Sequence, residues 1–150
     1  MTLRIPPLFQ LALLVGAGWS LSELFPSLSY FSWVVLIAGW GLVATGVIIT
    51  LIAVGLFRRT RTTVNPISPE KTNALVTTGI YKLSRNPMYV GMAAVLFGVT
   101  LILQNYAALV SVPLFLFSIT VFQILPEERA LAAKFGDEFE HYRENTARWL

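Results

Sequence analysis

The sequence contains no cysteine. That excludes a disulfide framework, thiolate chemistry and cysteine-ligated metals, and it leaves the redox compartment unmarked. Charge is also scarce: 13% of the 150 residues are Asp, Glu, Lys or Arg, against roughly 25% in soluble globular domains. The single histidine, His141, lies in a charged stretch and reads as a solvated surface residue. No grouping of His, Asp and Glu has metal-ligand spacing, so no metal is expected. No G-x-G-x-x-G follows a strand, which removes a Rossmann cofactor site. Internal repeats and low-complexity tracts are absent, and the net charge of +3 is modest. No nucleic-acid partner is expected.

Apolar sequence is abundant. Hydrophobic residues make up 55% of the chain and the mean hydropathy is +0.67. Four apolar segments can be drawn. Pro7–Phe25, about 18 residues or roughly 27 Å of helix, approaches the hydrocarbon thickness. Phe31–Phe57 is long enough to cross with tilt. Its Gly39, Gly41 and Gly46 suggest close helix packing and an interior-facing helix. Met88–Leu103 is short for a full span. Tyr106–Leu125 follows, with a kink expected at Pro113, and Gln104-Asn105 is the turn between these last two. The run Leu8–Leu24 has the look of a signal peptide. Trp19, Glu23, Phe25 and Pro26 make a poor cleavage site, so a retained span is expected.

The charges choose an orientation. Arg4 precedes the first segment. Arg58, Arg59, Arg61, Lys71, Lys82 and Arg85 lie between the second and third. Arg129, Lys134, Arg143 and Arg148 follow the fourth, and the two opposite connections have no basic residue. The positive-inside rule then puts both termini and the Arg58–Pro87 loop in the cytoplasm. The expectation is a single-domain, all-α integral membrane bundle. Residues 1–57 would form two spans, 58–87 a cytoplasmic loop, 88–125 a helical hairpin and 126–150 a cytoplasmic amphipathic helix. In that last helix Leu131, Phe135, Phe139 and Tyr142 form one apolar stripe. It would lie along the membrane face or fold over the loop, with Trp149-Leu150 anchoring its end at the interface.

Leu75–Gly91 reads LVTTGIYKLSRNPMYVG. It concentrates Tyr81, Lys82, Arg85, Asn86, Pro87 and Tyr89 where a membrane protein ordinarily needs only a turn. Gly79 can take a positive φ, and Pro87 fixes its own φ and biases Asn86 toward an extended conformation. Tyr81 and Tyr89 can stack on a flat ring or exclude water, and Arg85 can hold a carboxylate or phosphate by a planar fork. The plainer explanations are positive-inside cations, belt aromatics and a helix-opening proline; their crowding into so few residues favours a site. Glu127-Glu128 after Pro126 is the second cluster. It serves either as first-turn acids favoured by the helix dipole or as a carboxylate pair facing the basic loop, able to bind an ammonium group or accept a proton.

These two clusters resemble the isoprenylcysteine carboxyl methyltransferase family and its phospholipid methyltransferase-like relatives. The residues concerned are Leu75–Tyr81, Arg85-Asn86-Pro87-Met88-Tyr89-Val90-Gly91, Glu127-Glu128-Arg129-Ala130-Leu131, Phe135–Phe139 and Tyr142. The resemblance runs from about Asn65 to the end of the chain, and the first two spans match only as generic membrane helices. It implies S-adenosylmethionine as methyl donor, bound from the cytoplasm. The contacts carried over are Asn73, Ala74, Leu75, Val76, Tyr81, Asn86, Pro87, Met88 and Tyr89, with Asn86 standing where the family commonly has His. Glu127, followed by Glu128, stands at the substrate end of the site. Gln123 stands where the eukaryotic prenylcysteine enzymes have an Arg that engages the substrate carboxylate. Gln cannot form that charged bidentate pair, so either Arg85 takes the role or the acceptor differs.

The catalytic set expected is therefore Arg85, Glu127 and Glu128. A carboxylate acceptor is ionised at neutral pH and needs no base, whereas an amine would need Glu127 or Glu128 to take its proton. The acceptor expected is a lipidic or small apolar molecule reached through the membrane lipids, as for carboxyl O-methylation of an isoprenylcysteine-type substrate. The competing readings are a phospholipid or amine N-methyltransferase and a non-enzymatic small membrane subunit. A transporter ranks last, because the second to fourth spans hold no ionisable group deep in the membrane.

Overall fold

A computed structural model describes residues 5–59 and 75–150, apart from the side chain of Arg59. Asn73 and Ala74, and the basic residues Arg4, Arg61 and Lys71, fall outside it. The described residues are helical, with no strand beyond one isolated bridge between Ser29 and Asn105. Helix α1 spans Pro7–Leu24, α2 Trp33–Arg59 and α3 Pro87–Leu103. A 3-10 stretch at Tyr106–Val110 runs straight into α4 (Ser111–Ile119), a π turn at Thr120–Ile124 and α5 (Leu125–Phe135); α6 covers Asp137–Asn145. Trp33–Arg58 and the composite run Tyr106–Phe135 are long and apolar enough to cross a membrane. Helix α3 is shorter, at 17 residues, and α1 is a continuous helix that carries Gln10 and Glu23 among its apolar residues.

Helix α3 is the central element, packed on α2 at one side and on α1 and α4 at the other. The α2–α3 pair crosses at two glycine contacts. A Cβ added at Gly46 would lie 2.5 Å from the Gly91 carbonyl oxygen, and one at Gly98 would lie 2.6 Å from that of Gly39. Only hydrogen at these four positions permits such backbone approach. The seven-residue spacing on each helix brings both contacts onto one seam. Gly41 has no neighbour within 4 Å. The expectation of an interior-facing α2 is thus corrected: one stripe is packed, while Val34, Ile37, Ile48 and Leu51 are exposed. An apolar face of that extent belongs in lipid rather than water.

The two connections at the end away from Pro87 are locked together by a polar knot. Gln104 adopts a left-handed conformation, φ 50°, and its Oε1 accepts from the Ser32 amide at 3.1 Å. Asn105 is fully buried. Its Nδ2 reaches the carbonyls of Ser22 and Phe25 and the Ser29 hydroxyl, while its Oδ1 accepts from Ala107 N at 2.8 Å. The expected tight turn is therefore also a clamp on the α1–α2 connection. Buried carbonyls without such partners would carry a desolvation cost of about 1–3 kcal/mol each.

Two boundaries differ from the sequence reading. The helix does not end at Leu125. Pro126 lacks the N–H that an α-helix would use and would crowd the carbonyl four residues back. The π turn just before it, closed by Leu125 N to Thr120 O, widens the helix and lets it continue. The break comes instead at Gly136, whose φ of 50° with ψ −123° suits glycine and cannot continue the helix. The expected single amphipathic helix is consequently divided: Leu131 and Phe135 ride on α5, while Phe139 and Tyr142 are buried on α6. Pro113 sits in the first turn of α4, directly after the 3-10 stretch.

Gly46→Val should lower stability by about 1–3 kcal/mol through overpacking against α3, whereas Gly41→Ala should shift it by no more than about 0.5 kcal/mol. Paired thermal unfolding in detergent measures the contrast.

Candidate functional site

The site is assembled where the far end of α2, the start of α3 and the α5–α6 region converge. Gly79, φ 63°, starts the 3-10 turn Gly79–Lys82 and leaves only 2.9 Å between an added Cβ and Leu56 Cδ1. That close seat presses Tyr81 inward. Its ring meets Phe57 edge-on, with centroids 5.1 Å apart, and packs with Val76 and Ala53 in a small buried cluster. Only 4% of Tyr81 is exposed, yet its hydroxyl has no hydrogen-bond partner. Leu75 is half-buried and Val76 buried beside it.

Pro87 opens α3, as a residue without an N–H readily does, and Asn86 is its N-cap. The Asn86 carbonyl accepts from Tyr89 N and Val90 N, and its own N–H donates to Ser84 Oγ at 3.1 Å. Asn86 is not extended; its ψ is 50°. Met88 touches both this cluster and the main core. One turn along, buried Tyr89 donates from its hydroxyl to Glu127 Oε1 at 2.8 Å.

The acidic pair divides its work. Because the helix runs unbroken through Pro126, Glu127 and Glu128 do not sit at a free N-terminus, and a helix-dipole role loses its footing. The π turn inserts one residue, which rotates the start of α5 by ~100° about the helix axis. Glu127 meets Tyr89. Glu128 receives a bidentate fork from Arg148, at 3.1 and 2.8 Å, and lies 3.4 Å from Arg85 Nη1. The Arg85 contact is a charge contact without hydrogen-bond alignment, for Nε and Nη1 of Arg85 are buried and make no hydrogen bond. Burial lowers the Arg85 pKa, and the Glu128 carboxylate opposes it. Arg148 is raised by its hydrogen bond to Glu128.

The end of the chain covers the loop. The Arg85 amide donates to the Ala147 carbonyl at 2.9 Å. Asn86 Nδ2 and Ser84 Oγ both reach the Arg148 carbonyl. Partly buried Trp149 packs against the core cluster that contains Tyr89 and Leu96; Leu150 is exposed. From α6, Tyr142 donates its hydroxyl to the Tyr81 carbonyl at 2.6 Å. Burial, followed by the nearby Tyr142 and Glu127, raises the Tyr81 phenol. Tyr142 itself is pushed up to about 12 by burial, with Arg85 pulling the other way.

The structure thus brings together Tyr81, Arg85, Asn86, Met88, Tyr89, Glu127 and Glu128. Gln123 is buried but turned elsewhere, donating from Nε2 to the Ile5 carbonyl. Sequence reasoning did not find Arg148 or Ser84, which no local pattern marks. Tyr142 was visible as part of a stripe and of the family resemblance, without a role in the site. His141 is exposed and bonded to Asn145. Among the described residues no three metal-ligating side chains gather.

A profile of the phospholipid methyltransferase family matches residues 34–138. The chain belongs to that family. It is 34% identical over 119 residues to a probable protein-S-isoprenylcysteine O-methyltransferase of Oryza sativa, covering 79% of this chain and 62% of that protein. It is 37% identical over 73 residues to the protein-S-isoprenylcysteine O-methyltransferase of Schizosaccharomyces pombe, 49% of this chain and 31% of that one. An uncharacterized protein of Haemophilus influenzae is 41% identical over its whole length, 42% of this chain. The chain therefore spans less than two thirds of these methyltransferase relatives. No solved structure matches it. The two stretches long and apolar enough to cross a membrane accord with membership of that family.

Glu128→Ala should destabilise by about 3 kcal/mol, because it strands the enclosed Arg85 guanidinium, whereas Arg148→Ala, at a more exposed head, should cost about 1 kcal/mol or less; denaturant unfolding of both variants reads the difference. The raised Tyr142 pKa gives stability that is complete below the unfolded value of ~10 and is lost as pH rises through about 12. Hydrogen exchange in α6 should accelerate across that window, and Tyr142→Phe should remove the pH step.

Proposed function

We propose that the protein is an S-adenosylmethionine-dependent methyltransferase acting on a lipidic or small apolar acceptor at the cytoplasmic membrane face. The observation that carries this reading is the pair of buried, unsatisfied donors, the Tyr81 hydroxyl and the Arg85 guanidinium, beside the Tyr89–Glu127 hydrogen bond. Buried polar atoms without partners are rare in folded proteins. A donor molecule carrying a carboxylate, an ammonium group, ribose hydroxyls and a flat base suits them. Arg85 would hold the carboxylate. Glu127 would face positive charge, and Tyr81 and Tyr89 would wall the ring. Leu75, Val76, Asn86, Pro87 and Met88 would complete the lining, with Asn73 and Ala74 as further candidates.

When bound, the sulfonium supplies an activated methyl group for in-line transfer. The chain's task is to align the acceptor and keep water out. Tyr89 fixes one Glu127 oxygen, which orients the carboxylate toward an amine acceptor whose proton it would take. Glu128 is committed to Arg148 and Arg85, so in this reading it holds the cation cluster and does not act as a base. The proposed topology has four spans with both termini cytoplasmic, supported by the distribution of Lys and Arg. Helices α1 and α3, roughly 27 and 26 Å long, would need modest local thinning of the bilayer.

The orientation of Gln123 favours a second acceptor class. One of its two amide N–H groups is engaged by the Ile5 carbonyl, and its uncharged head cannot form the bidentate pair with a substrate carboxylate, which supports a phospholipid or amine N-methyltransferase. Titration of labelled S-adenosylmethionine into the detergent-purified protein should give saturable binding, weakened about tenfold by Tyr81→Phe, equivalent to ~1.4 kcal/mol, and further by Arg85→Ala. No saturable binding, or binding indifferent to Tyr81→Ala and Glu127→Ala, contradicts the reading. Offering S-farnesylcysteine and phosphatidylethanolamine as acceptors separates the two classes.

A further inference from the structure

Arg148 lies beyond residues 34–138, the part matched to the family, yet its side chain meets the acidic pair of the site. Its backbone is fixed by the residues around Arg85. The Arg85 amide donates to the Ala147 carbonyl, and Ser84 Oγ and Asn86 Nδ2 both donate to the carbonyl of Arg148 itself. Trp149, next in the chain, packs on the core cluster. The strap and the loop are thus held in one register, and two guanidinium groups are delivered to the same place.

There they compete for one carboxylate. Arg148 takes both oxygens of Glu128, from Nε at 3.1 Å and from Nη2 at 2.8 Å. Arg85 is left with a 3.4 Å approach to Oε1, and its Nε and Nη1 make no hydrogen bond. The allocation is the reverse of what burial favours. The side chain of Arg85 is 10% exposed and that of Arg148 39%, and a charged bidentate pair gains most where water is excluded. The outer arginine nonetheless holds the carboxylate, and the inner one goes without. The charges around Arg85 add to this. Burial lowers its pKa; Glu128 opposes that, while Arg148 and Arg143 push it further down. An enclosed guanidinium with unpaired donors and cations beside it is prepared for a second anion.

We infer that Arg148 is a positioning residue: by holding both oxygens of Glu128 it keeps that carboxylate from closing on Arg85, and so leaves the Arg85 guanidinium open to the carboxylate of S-adenosylmethionine. The identity of that anion rests on the methyltransferase reading; the competition for Glu128 does not. In this role Arg148 touches neither reactant. Without its fork, Glu128 turns to Arg85 and completes an internal pair. The seat for a ligand carboxylate is then filled from within, while the fold keeps its charge pairing.

The test titrates two probes, S-adenosylmethionine and its decarboxylated form, into the detergent-purified protein. Arg148→Ala should weaken the first about tenfold, ~1.4 kcal/mol, and the second by no more than about twofold. Arg148→Lys, which keeps the charge and loses the fork, should fall between Arg148→Ala and the unaltered protein. Equal loss of both probes is what a merely structural role would give, and it overturns the inference; so does undiminished binding of S-adenosylmethionine by Arg148→Ala. A second reading needs no ligand. Denaturant unfolding of Arg85→Gln, Glu128→Gln and their combination gives the coupling of that pair. With Arg148→Ala as background the coupling should rise about tenfold in the folding constant, and an unchanged coupling overturns the competition. In a protein that binds neither probe, an enlarged coupling upholds the competition for Glu128 and overturns only the donor reading.

Discussion

The contact of α2 with α3 through Gly39, Gly46, Gly91 and Gly98 governs the rest of the molecule. In a bilayer there is little hydrophobic gain in bringing two apolar helices together, so the pair depends on close packing of their backbones. That approach sets the far end of α2 beside the start of α3. Leu56 and Phe57 become the seat for the Gly79–Tyr81 turn, and Pro87 starts α3 under Asn86. The loop is held in place because its two flanking helices are locked.

A second constraint acts through the composite helix from Tyr106 to Phe135. A proline in mid-helix ordinarily kinks or ends it, and functional sites often coincide with π turns. Here the π turn absorbs Pro126 and re-aims the two residues after it. Glu127 reaches Tyr89 and Glu128 reaches the arginines. Adjacent residues of like chemistry are thereby committed to different partners, one hydroxyl and two guanidinium groups.

Local signals in the sequence were legible and long-range ones were not. The apolar runs located α1, α2 and α3 within two residues, because continuous hydrophobicity is a property of the segment itself. Pro87 and Gly79 announced their roles, since backbone restriction and freedom are intrinsic to those residues. Pro126 misled, because the local rule yields to a π turn that no residue pattern marks. The clamp made by Asn105 and the contacts of Ser84 and Arg148 went unread for one shared reason. Their long-range partners lie 20 to 83 residues away, and such pairings exist only once the helices are arranged. Gly41 shows the converse: its chemistry matched Gly39, and only the helix face distinguished them.

The covering segment reaches the loop largely through main-chain groups. Arg85 N binds the Ala147 carbonyl, Asn86 Nδ2 the Arg148 carbonyl and Tyr142 the carbonyl of Tyr81. A carbonyl is present whatever residue bears it, so Ala147 can change without loss of that bond, and Tyr81 can change without unseating α6. That part of the closure is indifferent to the side chains of Ala147 and Tyr81, while the side chains of Asn86 and Glu128 tie the rest of it to the site. What the enclosure recognises can therefore drift at Tyr81 more freely than at Asn86 or Glu128.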